Sequence, residues 1–182
     1  CMMSEEWPLR PLCKLCEFRN GLWKGKKPPY VEVGVIRNTN FNKDSSLDDS
    51  NIAYLDVEEK QFAKRQLVYG DIILEKSGGG PKQPVGRVII FDKKEGLYSF
   101  SNFTSVIRII DSSILDFRYL HYVLYWYYIS GVTEGMQRRS TGIRNLDFNA
   151  YKSLDIPLPS ISEQQRIVKM LDEAFQNIAN NA

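Results

Sequence analysis

The chain has 182 residues, 43% of them hydrophobic and 25% charged, with a formal net charge of +2. That size fits one domain with an appended element and provides enough apolar side chain for a core. No run of about 18 uncharged apolar residues is present, which excludes a membrane-spanning helix, and with no secretory signal pattern either, a cytoplasmic location is expected.

"PLRPLCKLCEF", from Pro8, has two prolines and a short apolar run, read as a strand or short helix that leads into a basic loop. "YVEVGVIRN" alternates through Tyr30, Val31, Glu32 and Val33 and then turns apolar, a strand pattern. "NTNFNKDSSLDDSN" is polar and turn-rich, a loop. "VEEKQFAKRQLV" has Phe62, Gln66 and Tyr69 near helical spacing and predicts a short helix. "GDIILEKS" and "VGRVIIFD" predict strands joined by a stretch with three consecutive glycines, and "LYSFSNFTSVIRII" one or two more, rich in β-branched and aromatic residues. A helix follows from Ser113, its expected cap, through Ser130, with Phe117, Leu120, Leu124, Tyr127 and Tyr128 forming a core-facing stripe. "GVTEGMQRRSTGIRNLD" reads as a loop and "YKSLDIPLP" as a strand closed by prolines. "SEQQRIVKMLDEAFQNIANNA" is a final helix with Ser162 and Gln165 as a capping box. Ile167, Met170, Leu171, Ala174 and Ile178 form a narrow apolar stripe along it, suited to docking on another helix of this chain or of a partner. The expected class is α+β: a twisted, largely antiparallel sheet body with a few helices, followed by the start of a long C-terminal helix of coiled-coil type.

Catalytic patterns fail on inspection. "LEKSGGGPKQPVGRVI" looks like a phosphate cradle, but a Walker loop needs Lys-Ser or Lys-Thr opening directly into a helix. Here Gly86 is followed by Arg87 and Val88, and a strand comes next. "KPPY" resembles the methyltransferase tetrapeptide, but Lys27 stands where an amine-accepting Asp or Asn is needed. Cys13 and Cys16 form a lone C-x-x-C with no second pair to complete a zinc site, so no metal is expected. Asp48, Asp49, Glu58 and Lys60 match a nuclease pattern that is common on solvated helices. His121, the single histidine, lies inside the aromatic helix.

Segregated basic loops remain. "RNGLWKGKKPPY" carries four basic residues and no acid, and "GMQRRSTGIRN" three arginines and no acid. On a near-neutral chain this suits a polyanion. Arg, Asn and Gln can grip base edges, and Lys, Ser and Thr suit phosphates. The candidate DNA contacts are Lys24, Lys26, Lys27, Arg37, Asn38, Asn40, Lys76, Ser77, Lys82, Gln83, Arg87, Gln137, Arg138, Arg139, Ser140, Thr141, Arg144 and Asn145.

Several stretches together resemble the DNA-specificity (S) subunits of type I restriction-modification enzymes: "GDIILEKSGGG", "STGIRNLD" and above all "LDIPLPSISEQQRIVKMLDEAF". "EWPLRPLCKLCEFRNG" resembles the start of a target recognition domain, and the likeness runs over residues 5–179. It implies a target recognition domain over residues 1–159 and the start of a conserved spacer and dimerisation helix over 160–182. It further implies that such a domain reads one half of a split sequence in double-stranded DNA and is not itself an enzyme. Methyltransferase (M) subunits and a motor-nuclease (R) subunit supply catalysis and hold S-adenosylmethionine, so no cofactor is expected here. A second S-subunit half, or a second copy, would pair through the C-terminal helix. The alternatives are a recognition domain of a single-chain restriction-methylase (type IIG-like) and a stand-alone metal-dependent nuclease.

Overall fold

The structure, a computed structural model, describes residues 6–23, 25–140 and 142–182. In chain order its elements are β1 (Leu9–Pro11), α1 (Leu12–Leu15), β2 (Cys16–Asn20), β3 (Tyr30–Ile36), β4 (Ala53–Glu58), α2 (Glu59–Arg65), β5 (Ile72–Glu75), β6 (Ser77–Gly79), β7 (Val88–Ile90), β8 (Tyr98–Phe100), β9 (Thr104–Ile109), α3 (Phe117–Ile129), β10 (Gln137–Ser140), β11 (Ile143–Leu146), α4 (Phe148–Lys152), β12 (Asp155–Pro157) and α5 (Ile161–Asn180). Short 3-10 turns occupy Asn38–Asn40 and Thr133–Met136.

The period-two rule of strands organises the centre. The antiparallel sheet β2-β9-β5-β7 is buried on both faces. Ile72, Leu74, Val88 and Ile107 point into one core, with Leu12, Leu120, Leu124 and Tyr151 from α1, α3 and α4. Their neighbours Ile73, Ile89 and Val106 point into the other, with Ile36, Phe91 and Phe100. Residues buried on both faces give continuous apolar runs, which is why "DIILE" and "VII" read plainly as strands.

A second sheet, β4-β3-β8, pairs β3 antiparallel to β4 and parallel to β8. That parallel pair is the exception to the antiparallel expectation. A third sheet, β10-β11-β6, lies at one edge of the molecule. β1 pairs with β12 through Arg10 and Ile156, so the chain enters the body beside the point where α5 leaves it.

Several expectations need correction. Residues 131–147, read as a loop, hold the β10–β11 hairpin, which was hidden because β10 is exposed and polar and one of the two buried positions of β11 is an arginine, Arg144. "YKSLDIPLP" begins in α4, capped by Asp147, before the strand. Strand β4 was not anticipated; its outer residues Tyr54, Leu55 and Asp56 are exposed and break the alternation. The cap of α3 is Asp116, whose carboxylate accepts from the Arg118 and Tyr119 amides at 2.9 and 3.1 Å, not Ser113, which sits in a turn closed by Asp111. The cap of α5 is Ser160, accepting from the Glu163 amide at 3.3 Å, two residues before the expected box, because the helix starts as soon as Pro159 is passed.

The first turns of α5 pack on this chain's own α3. Gln164 is fully buried, donating to the Ile114 and Pro159 carbonyls at 2.8 and 2.9 Å and accepting from the Asp116 amide at 2.9 Å. Val168 is buried, Asp172 accepts from the Tyr122 hydroxyl at 2.5 Å, and Phe175 stacks on Tyr122 at 5.9 Å. The docked face is thus Gln164, Val168, Asp172 and Phe175. The expected stripe lies beside it: Ile167 and Leu171 are half-buried, Met170 and Ala174 are exposed, and exposed Ile178 borders a recess against the body with Phe175 and Tyr122.

Candidate nucleic-acid interface

Three stretches far apart in sequence meet at the β6–β11 edge. Asn145 of β11 stands opposite Ser77 of β6, and the Ser77 hydroxyl donates to Asn145 Oδ1 at 2.5 Å. Asn38 Nδ2 donates to the Ser77 carbonyl at 2.8 Å, which ties the 3-10 turn after β3 to the same strand. Gly78 makes this approach possible. Its φ is +92°, and a Cβ there would sit 3.1 Å from Asn38 Nδ2. At Gly79 a Cβ would lie 2.8 Å from the Gln83 carbonyl oxygen. Beyond it, Gly80 and Gln83 exchange backbone hydrogen bonds at 3.0 and 3.1 Å, closing a tight turn with Pro81 and Lys82 at its apex. The glycines therefore serve close packing and a turn, and the Gly80 N–H is engaged internally rather than offered to an anion.

The candidate contacts divide into a presented set and a supporting set. Lys26, Lys27, Lys82, Gln83, Arg138, Arg139 and Ser140 are exposed; Arg138 pairs with Asp147 at 2.9 Å. Arg37, Asn38, Lys76, Ser77 and Asn145 are half-buried along the same edge. Lys76 Nζ donates to Asn20 Oδ1 at 2.8 Å, and its pKa is lowered by burial and by the nearby Lys152. Lys24 and Thr141 lie outside the described residues.

Four candidates are held inside. Asn40, 1% exposed, accepts from the Arg37 amide and donates to the Asp48 and Asn51 carbonyls. Gln137 uses both ends of its amide on Val85 and on the Thr133 carbonyl. Arg144 is buried and pairs with Glu134 at 2.9 Å. Arg87 forks onto buried Glu75 at 3.0 and 2.6 Å and donates to the Phe41 and Asn38 carbonyls at 3.2 Å each. With its amide oxygen turned inward, Gln83 accepts from the same guanidinium at 2.7 Å. These four position the loops on which the exposed groups sit.

Sequence reading missed two aromatics at this edge. Trp23 is 65% exposed and Phe103 49%. With Lys26, Arg37 and Asn38 they border a recess of about 630 Å³. A smaller recess of about 400 Å³, lined by Lys43, Gly78 and Gln83, lies on the other side of the ridge formed by Asn38 and Thr39. An aromatic amid turn residues, as in "SNFT", was the available signal.

Other chemistries find no support. Among the described residues no group of three or more His, Cys, Asp or Glu side chains could hold a metal. Asp48 accepts from Ser50, Asp49 pairs with Lys93, and Glu58 accepts from the Lys27 amide and Gln61, so the nuclease carboxylates are dispersed. Burial pushes the Cys16 thiol up to about 12, which leaves no thiolate for a redox pair with exposed Cys13. His121 Nε2 faces the Ser45 and Val88 carbonyls at 3.0 and 3.4 Å, so it carries the proton and cannot act as base toward Ser45. Among the described residues no helix is long and apolar enough to cross a membrane.

Comparison with known proteins gives a consistent result. The family model described as type I restriction modification DNA specificity domain matches residues 4–182. A protein named as the type I restriction enzyme MjaX specificity subunit of Methanocaldococcus jannaschii is 26% identical over 178 residues, covering 97% of this chain and 41% of that protein. One named as specificity subunit S.HindORF215P of Haemophilus influenzae is 30% identical over 155 residues, covering 84% of this chain and 34% of that protein. The crystal structure of the HsdS subunit from Thermoanaerobacter tengcongensis superposes with a TM-score of 0.63 at 18% identity, over 99% of this chain and 40% of the other. That of the S subunit of the type I system from M. genitalium gives 0.61 at 18% identity, over 99% and 43%. The chain thus spans about two fifths of the length of the relatives it matches.

Proposed function

We propose, from the premise that this chain belongs to the type I restriction modification DNA specificity domain family, that it is a target recognition domain. In this reading it binds one half of a bipartite double-stranded DNA target through the edge built from β6, β11 and the turn after β3. It has no catalytic role of its own. It directs methyltransferase subunits and a motor-nuclease subunit that act on the DNA.

One observation carries the assignment of the edge: the hydrogen-bonded meeting of Asn38, Ser77 and Asn145, drawn from three separate polar stretches. Recognition needs several side chains held in fixed register against base edges, while cations around them engage phosphates. Exposed Lys26, Lys27, Lys82 and Arg138 around that junction suit the phosphates, and exposed Arg139 suits a phosphate or a guanine edge. Asn38, Gln83, Ser140 and Asn145 suit base edges, and Asn40, Arg87, Gln137 and Arg144 act by positioning. The exposed residues Met170, Ala174 and Ile178 of α5, with half-buried Ile167 and Leu171, are the surface for a second helix, from another S-subunit half or a second copy.

The test is a domain swap. Replacing the equivalent domain of an intact type I system with this chain and sequencing methylated sites in cells should change one half of the methylated sequence and leave the other half and the spacing intact. An unchanged target sequence in an assembled, methylating complex refutes the proposal.

A further inference from the structure

We propose that the recess between Trp23 and Phe103 receives a single nucleobase of the bound DNA, turned out of the helical stack. The inference rests on the DNA-recognition reading and adds to it a site of defined chemistry. The recess lies over the β4-β3-β8 sheet beside the small core of Val33, Val35 and Phe62; of the sheet residues that line it, Leu55 is exposed and Val35 is buried. Its walls include the two exposed aromatics, and its polar lining carries Lys26, Arg37 and Asn38 together with the carboxylates Asp56 and Glu58, the latter engaged by the Lys27 amide and Gln61. Flat apolar surfaces bounded by hydrogen-bonding groups match a base, which has apolar faces and a polar edge.

The walls are anchored independently, so the recess is preformed. The Phe103 carbonyl accepts from the Lys76 and Ser77 amides at 3.0 and 3.2 Å, which fixes the β8–β9 turn to the strand that holds Asn38 and Asn145. The Trp23 amide donates to Gln61 Oε1 at 2.8 Å. Two large aromatic side chains are thereby carried on anchored backbone with about half or more of their surface left in solvent. Beside the recess, Arg37 Nε, Asn38 Oδ1 and Ser101 Oγ are buried without a hydrogen-bond partner among the described residues. These atoms are covered by protein, so a small side-chain shift or a bridging water would be needed for them to reach a base in the recess. Lys26 and Lys27 lie on the same loop as Trp23 and would hold the flanking phosphates.

A free nucleotide offers the same ring chemistry, and the test separates the two sources. In the assembled methyltransferase complex, 2-aminopurine is scanned through the duplex target at positions other than the methylated adenines. One position is expected to change its emission on binding. Trp23→Ala with Phe103→Ala should abolish that change and weaken binding roughly 5- to 100-fold, as loss of a base-stacking platform does. Both side chains are about half exposed or more, so the variant should melt like the parent. If no position responds, or the response survives in the double variant, while the complex still methylates its target, base capture is wrong and DNA recognition stands. A domain swap that leaves the target unchanged removes the recognition reading itself. In the second arm, the chain with Trp7→Phe and Trp126→Phe is titrated with deoxynucleoside monophosphates. No quenching of Trp23 is expected at concentrations where duplex saturates the complex, and quenching there overturns the proposal in favour of a free nucleotide.

Discussion

The two ends of β5 carry the same device with different consequences. Asp71 and Glu75, 1% and 2% exposed, bracket the strand, and each is gripped by an arginine fork. At one end Arg108 binds Asp71 through two bonds of 2.8 Å, donates to the Gln66 carbonyl at 3.0 Å, and Asp71 accepts from the Val68 amide at 2.9 Å. That clamp fastens the connection between α2 and β5. At the other end Arg87 binds Glu75, reaches the Asn38 and Phe41 carbonyls, and lies over the Phe41 ring at 5.3 Å. This clamp fastens the turn that presents Asn38 and Thr39. A buried ion pair adds little net stability over an apolar substitute but fixes geometry, because either partner alone is costly. One clamp thus holds the body, and the other holds a loop of the proposed interface.

The largest expected effect comes from breaking a clamp. Arg87→Ala and Arg108→Ala each leave a buried carboxylate unpaired and should each cost about 3–5 kcal/mol, read as a drop in denaturant midpoint. Their effects on recognition should diverge. In assembled complexes kept below the melting temperature of both variants, Arg108→Ala should methylate the parental sequence, whereas Arg87→Ala should lose or relax it. Arg87→Lys keeps charge without the fork and should fall between. Equal loss of specificity in both alanine variants would erase the distinction.

A third anchor is neutral and gives a different signature. His121 on α3 ties down Ser45 and Val88 from inside the body, and burial lowers its pKa from the ordinary 6.5, against the opposing pull of those two carbonyls. The unfolded chain takes up a proton near pH 6.5 while the folded chain stays neutral, so the unfolded state binds more protons over that interval. Stability is therefore fullest above about pH 6.5 and declines as pH falls from there toward the lowered folded value. Denaturation midpoints measured between about pH 5 and pH 8 should show this slope. His121→Gln should flatten it without altering the methylated sequence. A slope unchanged by the substitution would mean another group titrates.

What could be read from sequence follows the same division. "DIILE", "VGRVII" and the aromatic helix announced themselves because burial on both faces, or along one stripe, imposes a pattern. β4 and β10 did not, because exposed strands are free to carry Tyr54, Asp56, Arg138 or Arg139 with no periodic constraint, and β11 did not because its inward positions hold Arg144 as well as Leu146. The stretches that form the candidate edge were recognisable by residue type, but their roles were not. Arg87 and Arg139 look alike in sequence, and only the position of Glu75 makes one an internal clamp. Trp23 and Phe103 went unread for the opposite reason: the signal in "SNFT" was there, but an aromatic in a short turn is read as core until its exposure is known. The α5 stripe was found one face away from the surface that docks, because the docked face is half polar: Gln164 and Asp172 contribute hydrogen bonds where apolar residues were sought.

The smallest effect on stability tests the presented set. Lys82 is at the apex of the turn closed by Gly80 and Gln83, and Arg139 lies on β10; both are exposed, and neither makes an ion pair among the described residues. Removing either should change stability by no more than about 0.5 kcal/mol. DNA binding by the assembled complex should still weaken, and the form of the weakening distinguishes the roles. If Lys82 touches a phosphate, Lys82→Ala should lower affinity evenly across sequences and reduce the slope of log K against log salt by about 1. If Arg139 touches a base edge, Arg139→Ala should instead relax one target position by about 1–3 kcal/mol. If neither variant alters affinity, salt slope or target, the β6–β11 edge does not face DNA. The glycine turn would then be no more than a tight connection between two strands, and Arg87 no more than a second Arg108.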